Sequence, residues 1–452
     1  ADAHARGIPV VYLQANIHAG EVEGKEALLA LLRDLTRDPR LNVLDSLLVI
    51  AVPIYNADGN EAFASQTVNR TEQNGPELVG QRANGQGLDL NRDYVKAEAP
   101  ETRASLVAFN RWDPDVFVDM HTTDGSFHGY ALTYSPSLWP GADQYTRDSL
   151  LPEIRRRVRA RDGFEIFDYG NFEGEPPAWR TYDDRPRFGT NYVGLRGRVA
   201  ILSEAYSHDP FERRVKATRA FVSEILSLVA ERGVHHAPRL EQVPIRAEMT
   251  RAPFVAPVVR ESLVATGDSS VTQPGVPRGM RRSGQFTPIE MKVYDRFAAT
   301  LSVPVPAGYL VPAADTAALR LLRLHGIVAR RLDSMVAGVE AFAIDSVWHD
   351  SAAFQGHRQT HLRGHWRPTD SHVDAVVISD KGRAPARQVA IKSAILATGK
   401  YFIVPDNQPL AALAVYLLEP ESDDGLVTWN VFDPALGAGR GATYPVLRLV
   451  RE

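Results

Sequence analysis

The chain has 452 residues, long enough for two or three domains with full cores, and its 44% hydrophobic and 23% charged content is ordinary for a globular protein. Lys and Arg number 51 against 55 Asp and Glu, a net charge of −4, which gives no reason to expect nucleic acid or an anionic membrane surface as partner. The absence of cysteine excludes disulfides, thiolate metal sites and cysteine nucleophiles together, so any metal must be held by His, Asp or Glu.

The chain opens on Ala rather than Met and its first core strand starts near residue 8, so it reads as processed or trimmed. The apolar run Pro9 to Leu13 predicts a buried strand, and Ala27, Leu28, Leu31, Leu32 and Leu35 repeat at helix spacing. Between them lie His18 and Glu21, where a strand hands over to a helix. A second buried strand, Leu47 to Ile54, closes in the turn residues Asn56, Asp58 and Gly59. Residues 60 to 99 are polar and irregular, and a long irregular segment inside a compact domain is usually functional or disordered. A helix is predicted from Pro100 to about Arg111 and a strand from Asp115 to His121. Strand, helix and strand follow at Ala131 to Tyr134, Asp143 to Arg159 and Gly163 to Tyr169, then an aromatic, charged loop from Gly170 to Val193. The short strand Val199 to Glu204 and the amphipathic helix Phe211 to Glu231 close the unit. Strands alternating with helices predict an α/β fold with a mostly parallel sheet covered on both faces. Composition changes near 236–242. The expected division is therefore 1–236 as one domain and 243–452 as a β-rich accessory region, in one or two pieces. No apolar run approaches the ~18–20 residues a membrane span needs.

Three strand ends carry residues with chemistry: His18 with Glu21, then His121, then Glu204. A catalytic zinc site needs three protein ligands and one open position, and two His with one Glu fit that count. Taken singly each residue has a plainer reading, since a lone His is more often structural and Glu204 could simply pair with Arg198. Asp119 shares a strand face with His121 and could orient it, and Asp89 is a second candidate for holding a ligand imidazole by its free N–H.

In order along the chain, His18-x-x-Glu21, Asn56-x-Asp58-Gly59, Asp89-x-Asn91-Arg92, Asp119-x-His121 and Leu202-Ser203-Glu204 resemble the zinc carboxypeptidase family of the carboxypeptidase A/B type. The resemblance covers residues 1 to about 232, and only the ordered set is specific. It implies a mixed, mostly parallel sheet flanked by helices, and one zinc ion held by His18, Glu21 and His121. By the same resemblance Asp89 supports His18, Asn91 and Arg92 grip the free C-terminal carboxylate of a peptide, and Glu204 is the general base. Arg82 occupies the place of the family's oxyanion-stabilising arginine, with Arg70 as the alternative. Tyr182 and Tyr192 both qualify as the substrate-capping tyrosine. Gly189, Thr190 and Asn191 give no charged pocket floor, which disfavours basic C-terminal residues.

The implied enzyme is a secreted-type bacterial metallocarboxypeptidase, periplasmic or extracellular, with less sheet before His18 than the family usually carries. A zinc amidohydrolase or cell-wall peptide hydrolase on the same site, and a catalytically silent binding module, are the rivals. In the C-terminal part His357, His361 and His365 recur every four residues and are read as packing or surface histidines. That region is expected to assist packing or folding rather than to bind carbohydrate.

Overall fold

The computed structural model describes residues 2–37, 42–369, 372–377, 387–392, 395–396, 399–436 and 443–450. Its centre is a six-stranded sheet made from the apolar runs. In chain order these are β1 (Val10–Ala15), β2 (Leu48–Val52), β3 (Val116–Thr122), β4 (Leu132–Pro136), β5 (Ile166–Asp168) and, after two strands of a second sheet, β8 (Val199–Ala205). The order across the sheet is β2-β1-β3-β8-β4-β5, parallel throughout except where β8 meets β4. Every residue of β1, β3 and β8 is buried, as expected of central strands covered on both faces.

Helices α1 (Glu23–Arg37), α2 (Pro100–Trp112), α3 (Leu151–Asp162) and α5 (Phe211–Arg232) surround that sheet. Leu28, Leu31 and Leu35 of α1 form one core cluster with Phe221, Ile225 and Leu228 of α5 and with Val11, Val118 and Ile201 of the strands. Asn56-x-Asp58-Gly59 forms the head of a short helix, Ala57–Glu61, in which the Asn56 side chain accepts from Gly59 N. The helix expected over 143–159 begins as a wider turn at Thr146–Leu150 before running regularly through α3.

The segment read as a loop from Gly170 to Val193 is more structured than its composition suggests. It holds β6 (Asn171–Glu173), β7 (Ala178–Arg180) and most of a short helix, α4 (Gly189–Leu195). β7 pairs with β10 (Met280–Tyr294), whose hairpin partner is β9 (Val255–Ala265), giving a second sheet ordered β9-β10-β7-β6. Trp179, fully buried, anchors it with Tyr130, Phe167, Val258 and Met291. The single cut near 236–242 is corrected accordingly. One unit comprises Ala1–Pro238 with Ala247–Thr300, and the other Arg239–Arg246 with Leu301–Glu452. The β9–β10 hairpin stays with the first unit because its pairing and its apolar face are satisfied there.

The second unit is built on an antiparallel sheet, β12-β15-β11-β16-β13-β14, from β11 (Gly308–Pro312), β12 (Arg330–Leu332), β13 (Val339–His349), β14 (Thr360–Pro368), β15 (Tyr401–Pro405) and β16 (Thr443–Leu449). Helix α6 (Thr316–Leu324) buries Ala318, Leu321 and Leu322, and α7 (Ala411–Leu418) is buried along nearly its whole length. His361 pairs with Asp350 at 2.9 Å, His365 lies 3.5 Å from Asp345, and His357 meets Asn430. Each is an ordinary packing or surface contact. Among the described residues no helix is long and apolar enough to cross a membrane.

Candidate metal centre and active site

Strand register brings the distant residues together. Glu204 of β8 is the direct partner of His121 on β3, and Ala15, the last residue of β1, is paired with Met120. The chain leaves β1 through Asn16, whose positive φ of 62° turns it back at once, a conformation Asn tolerates better than most residues. The Asn56 amide donates to Ile17 O and Arg82 O, tying that turn to the polar segment. His18 and Glu21 then sit beside His121 at the carboxyl ends of the strands, where open α/β sheets bind ligands.

The three side chains are 2–4% exposed, and one ligand atom from each lies within 4.8 Å of the others. Both imidazoles turn Nδ1 toward one carboxylate: His18 Nδ1 is 3.0 Å from Glu21 Oε1, and His121 Nδ1 is 3.0 Å from Glu21 Oε2. Both present Nε2 to a second carboxylate, Asp89 Oδ1 for His18 and Asp119 Oδ2 for His121, each at 3.0 Å. Asp89 is fixed by capping the turn Leu90–Arg92, where its Oδ1 accepts from Asn91 N, and Asp119 by Gln14 Nε2 at 3.0 Å.

The charges favour a cation at this point. Burial alone would raise Glu21, yet His18, Arg70 and the bond from His121 hold it well below the usual carboxylate range. Burial would lower His121, but Asp119 and Glu21 on either side hold it well above the usual imidazole range. Two nitrogens and one carboxylate facing each other, each nitrogen backed by an acid, are the donor set of a zinc site with an open fourth position. The residues present fit one zinc ion.

Around this centre lies a cavity of about 90 Å³, lined by His18, Glu21, His121 and Glu204 together with Arg82, Asn91, Arg92, Tyr182 and others. Glu204 is 9% exposed, and its burial, with Glu21 and Asp124 nearby, pushes its carboxyl well above the usual range. Arg82 pairs with Asp89 Oδ2 at 2.9 Å, and its Nη1 reaches to 3.2 Å from His18 Nδ1. Arg92 stacks its guanidinium 4.0 Å over Phe188, and among the described residues it makes no ion pair. Asn91 Oδ1 accepts from Gly189 N, which leaves its amide nitrogen for a ligand.

Residues 1–158 match the zinc carboxypeptidase family model. The match takes in His18, Glu21 and His121, the three ligand candidates, and ends before Glu204. The chain is similar to Carboxypeptidase 2 of Trichophyton equinum, 26% identical over 97% of this chain and 76% of the relative, and to Carboxypeptidase 2 of Trichophyton tonsurans, 25% identical over the same shares. A crystal structure of a metallo-carboxypeptidase from Burkholderia cenocepacia is 21% identical and overlaps 49% of this chain with a TM-score of 0.37, and the chain spans 57% of that structure.

Within this unit, Arg70 and Arg82 separate cleanly. Arg70 is buried, donating to Glu21 Oε1 and to the carbonyls of Thr122 and Thr123, so it tethers a ligand from behind. Arg82 is the one that lines the cavity. Tyr182 also lines it, whereas Tyr192 does not. Tyr192 is 1% exposed on α4, its ring against Tyr94 and its hydroxyl accepting from Arg196, so its expected place on a substrate-facing loop is corrected. A seven-residue helix inside a polar stretch carries too little periodicity to be read in advance. Tyr169 and Asp124, which sequence reasoning did not single out, line the cavity as well. Their only advance signal is position, just past the ends of β5 and β3.

Proposed function

We propose that the zinc carboxypeptidase unit removes single residues from the free C-terminus of peptides. The observation that carries this reading is Arg92, a cation without an ion-pair partner among the described residues, in the same cavity as the metal centre and Glu204. A planar guanidinium takes a carboxylate through two parallel hydrogen bonds, and the Asn91 amide supplies a third. The walls beside it, Tyr182, Phe188, Thr190 and Leu202, are uncharged, which suits an apolar or neutral C-terminal side chain. A cavity of about 90 Å³ matches roughly three waters at about 30 Å³ each, room for one side chain rather than a long run of polypeptide.

Zinc, when bound, supplies Lewis acidity to the scissile carbonyl and lowers the pKa of a water. Arg82 stands beside the ligand atoms and stabilises negative charge that develops on the carbonyl oxygen. Glu204 takes a proton from the attacking water and passes it to the leaving amine. Burial raises the Glu204 carboxyl above the usual range, which favours its holding the proton between the two transfers.

The test is a matched pair of peptides that differ only in a free or an amidated C-terminus. The free peptide is expected to be cleaved and the amidated one spared, and equal rates would sink the proposal. Glu204→Gln is expected to keep one zinc per chain while losing turnover by about 10²–10⁴-fold. Loss of the metal in that variant would make Glu204 structural instead.

A further inference from the structure

We propose that Asp124 and Tyr169 form a subsite for the residue preceding the scissile bond, and that this subsite prefers a cationic side chain. The proposal rests on the peptidase reading above and deepens it. In the cavity Asn91 and Arg92, the groups that would hold the substrate's carboxylate, stand with Arg82, whereas Asp124 extends the β3 end beyond His121 and Thr122. Tyr169 follows β5 and hydrogen-bonds back through its amide to Tyr134 O.

A second groove, of about 780 Å³, is lined by Gly125, next in the chain to Asp124, and by Asn171, two residues beyond Tyr169. Its floor is stitched together: Ser126 N donates to Asn171 Oδ1 at 3.3 Å, and Phe172 N to Ser126 Oγ at 2.9 Å. Its wall is the β9–β10 hairpin, through Leu263, Thr287 and Ile289, joined to the floor where Glu261 N donates to Phe127 O. The metal centre leaves little room for more than one residue. Because Gly125 of this groove directly follows Asp124 of the cavity, the proposed path takes the upstream part of a peptide past Asp124 and into the groove.

The carboxylate at that doorway is bonded to no side chain of the described residues. Asp124 is exposed and, among the described residues, makes no hydrogen bond or ion pair. Arg70 and Arg82, whose charges Asp124 feels, are each paired elsewhere, Arg70 with Glu21 and Glu72 at 3.0 Å and Arg82 with Asp89 at 2.9 Å. Arg92 is kept for the substrate's carboxylate, and Arg260 of the groove lies over the Phe172 ring. A passing Lys or Arg side chain would neutralise Asp124 in a partly dry cleft, and a Glu would be repelled there.

The experiment uses the zinc-loaded full chain and N-acylated peptides that share a C-terminal Leu and differ only in a penultimate Lys, Gln or Glu. Acylation removes the terminal ammonium that would otherwise compete for Asp124. Expected is kcat/KM for Lys over Glu of about tenfold or more, carried mainly in KM and shrinking with added salt. In Asp124→Asn the Lys-to-Glu ratio is expected to fall to about twofold, and in Asp124→Lys to invert. Cleavage of the Gln peptide without any charge preference would overturn this proposal alone. A preference for Lys that survives Asp124→Asn would do the same. No turnover of any of the three peptides would overturn the peptidase reading and this proposal with it.

Discussion

Each metal-facing nitrogen is aimed by an acid on the far side of its ring, and the aim is held by residues that never meet the cavity. Asp89 divides its carboxylate between His18 Nε2 and Arg82, and although burial would raise it, those two partners hold it below the usual range. Replacing it with Asn keeps the shape but removes the charge that fixes the His18 tautomer. Asp89→Asn is expected to weaken zinc binding by about 10–100-fold with the fold intact, as read by competition with a chelator. An unchanged affinity would mean that the turn alone orients the ring. At this scale much was legible. His18, Glu21, His121 and Glu204 were readable because each ends an apolar run or begins a helical one, a local pattern. Tyr192 misled because its fate depends on Arg196 and Tyr94, and Asp124 carried no signal because only the fold brings it to the cavity.

At the scale of elements, the closeness of α1 to β3 is what holds Glu21 against His121. A Cβ placed on Gly24, in the first turn of α1, would sit 2.8 Å from Met120 Cβ and 3.2 Å from Met120 O. Gly24→Ala gains up to about 1 kcal/mol of helix propensity but meets an overpacking cost of about 1–3 kcal/mol. The clash is expected to win, since both neighbours belong to a central strand that cannot give way. Urea denaturation of the metal-free variant should show a net loss of about 1–2 kcal/mol, with weaker zinc binding because Glu21 is carried off by the helix. A gain in stability would show that the helix has room to shift. The strands and helices of the parallel sheet were readable because their periodicity is local. β6, β7 and α4 were not, because three-residue strands owe their existence to the partner β10, which arrives far later in the chain.

Across the whole molecule, acid stability has an identifiable contributor. His128 is buried against Tyr130, Trp179 and Tyr206, and its Nδ1 accepts from Tyr130 N. Burial, with His208 and Arg282 nearby, pushes its imidazole down to about 3. The unfolded chain holds that proton near pH 6.5, so between pH 6.5 and 3 the unfolded state binds more protons than the folded one. Its stabilising contribution is therefore complete above 6.5 and is lost as the pH falls toward 3, by at most about 1.4 kcal/mol per pH unit. His128→Asn keeps an acceptor for Tyr130 N and is expected to lose less stability between pH 7 and pH 5 than the parent, measured by urea denaturation at both. Equal losses would place the sensitivity elsewhere. The division into units was the least legible feature, because composition changes near 236–242 while the pairing of β10 with β7 ignores that point. That pairing also bears on how the protein is made. As the polypeptide emerges from the ribosome, Trp179 has only earlier neighbours such as Tyr130 and Phe167 against it until Val258, Met291 and Val293 follow. The nascent N-terminal segment thus waits, part-built and with an oily flank exposed, for a late stretch of its own translation to finish it.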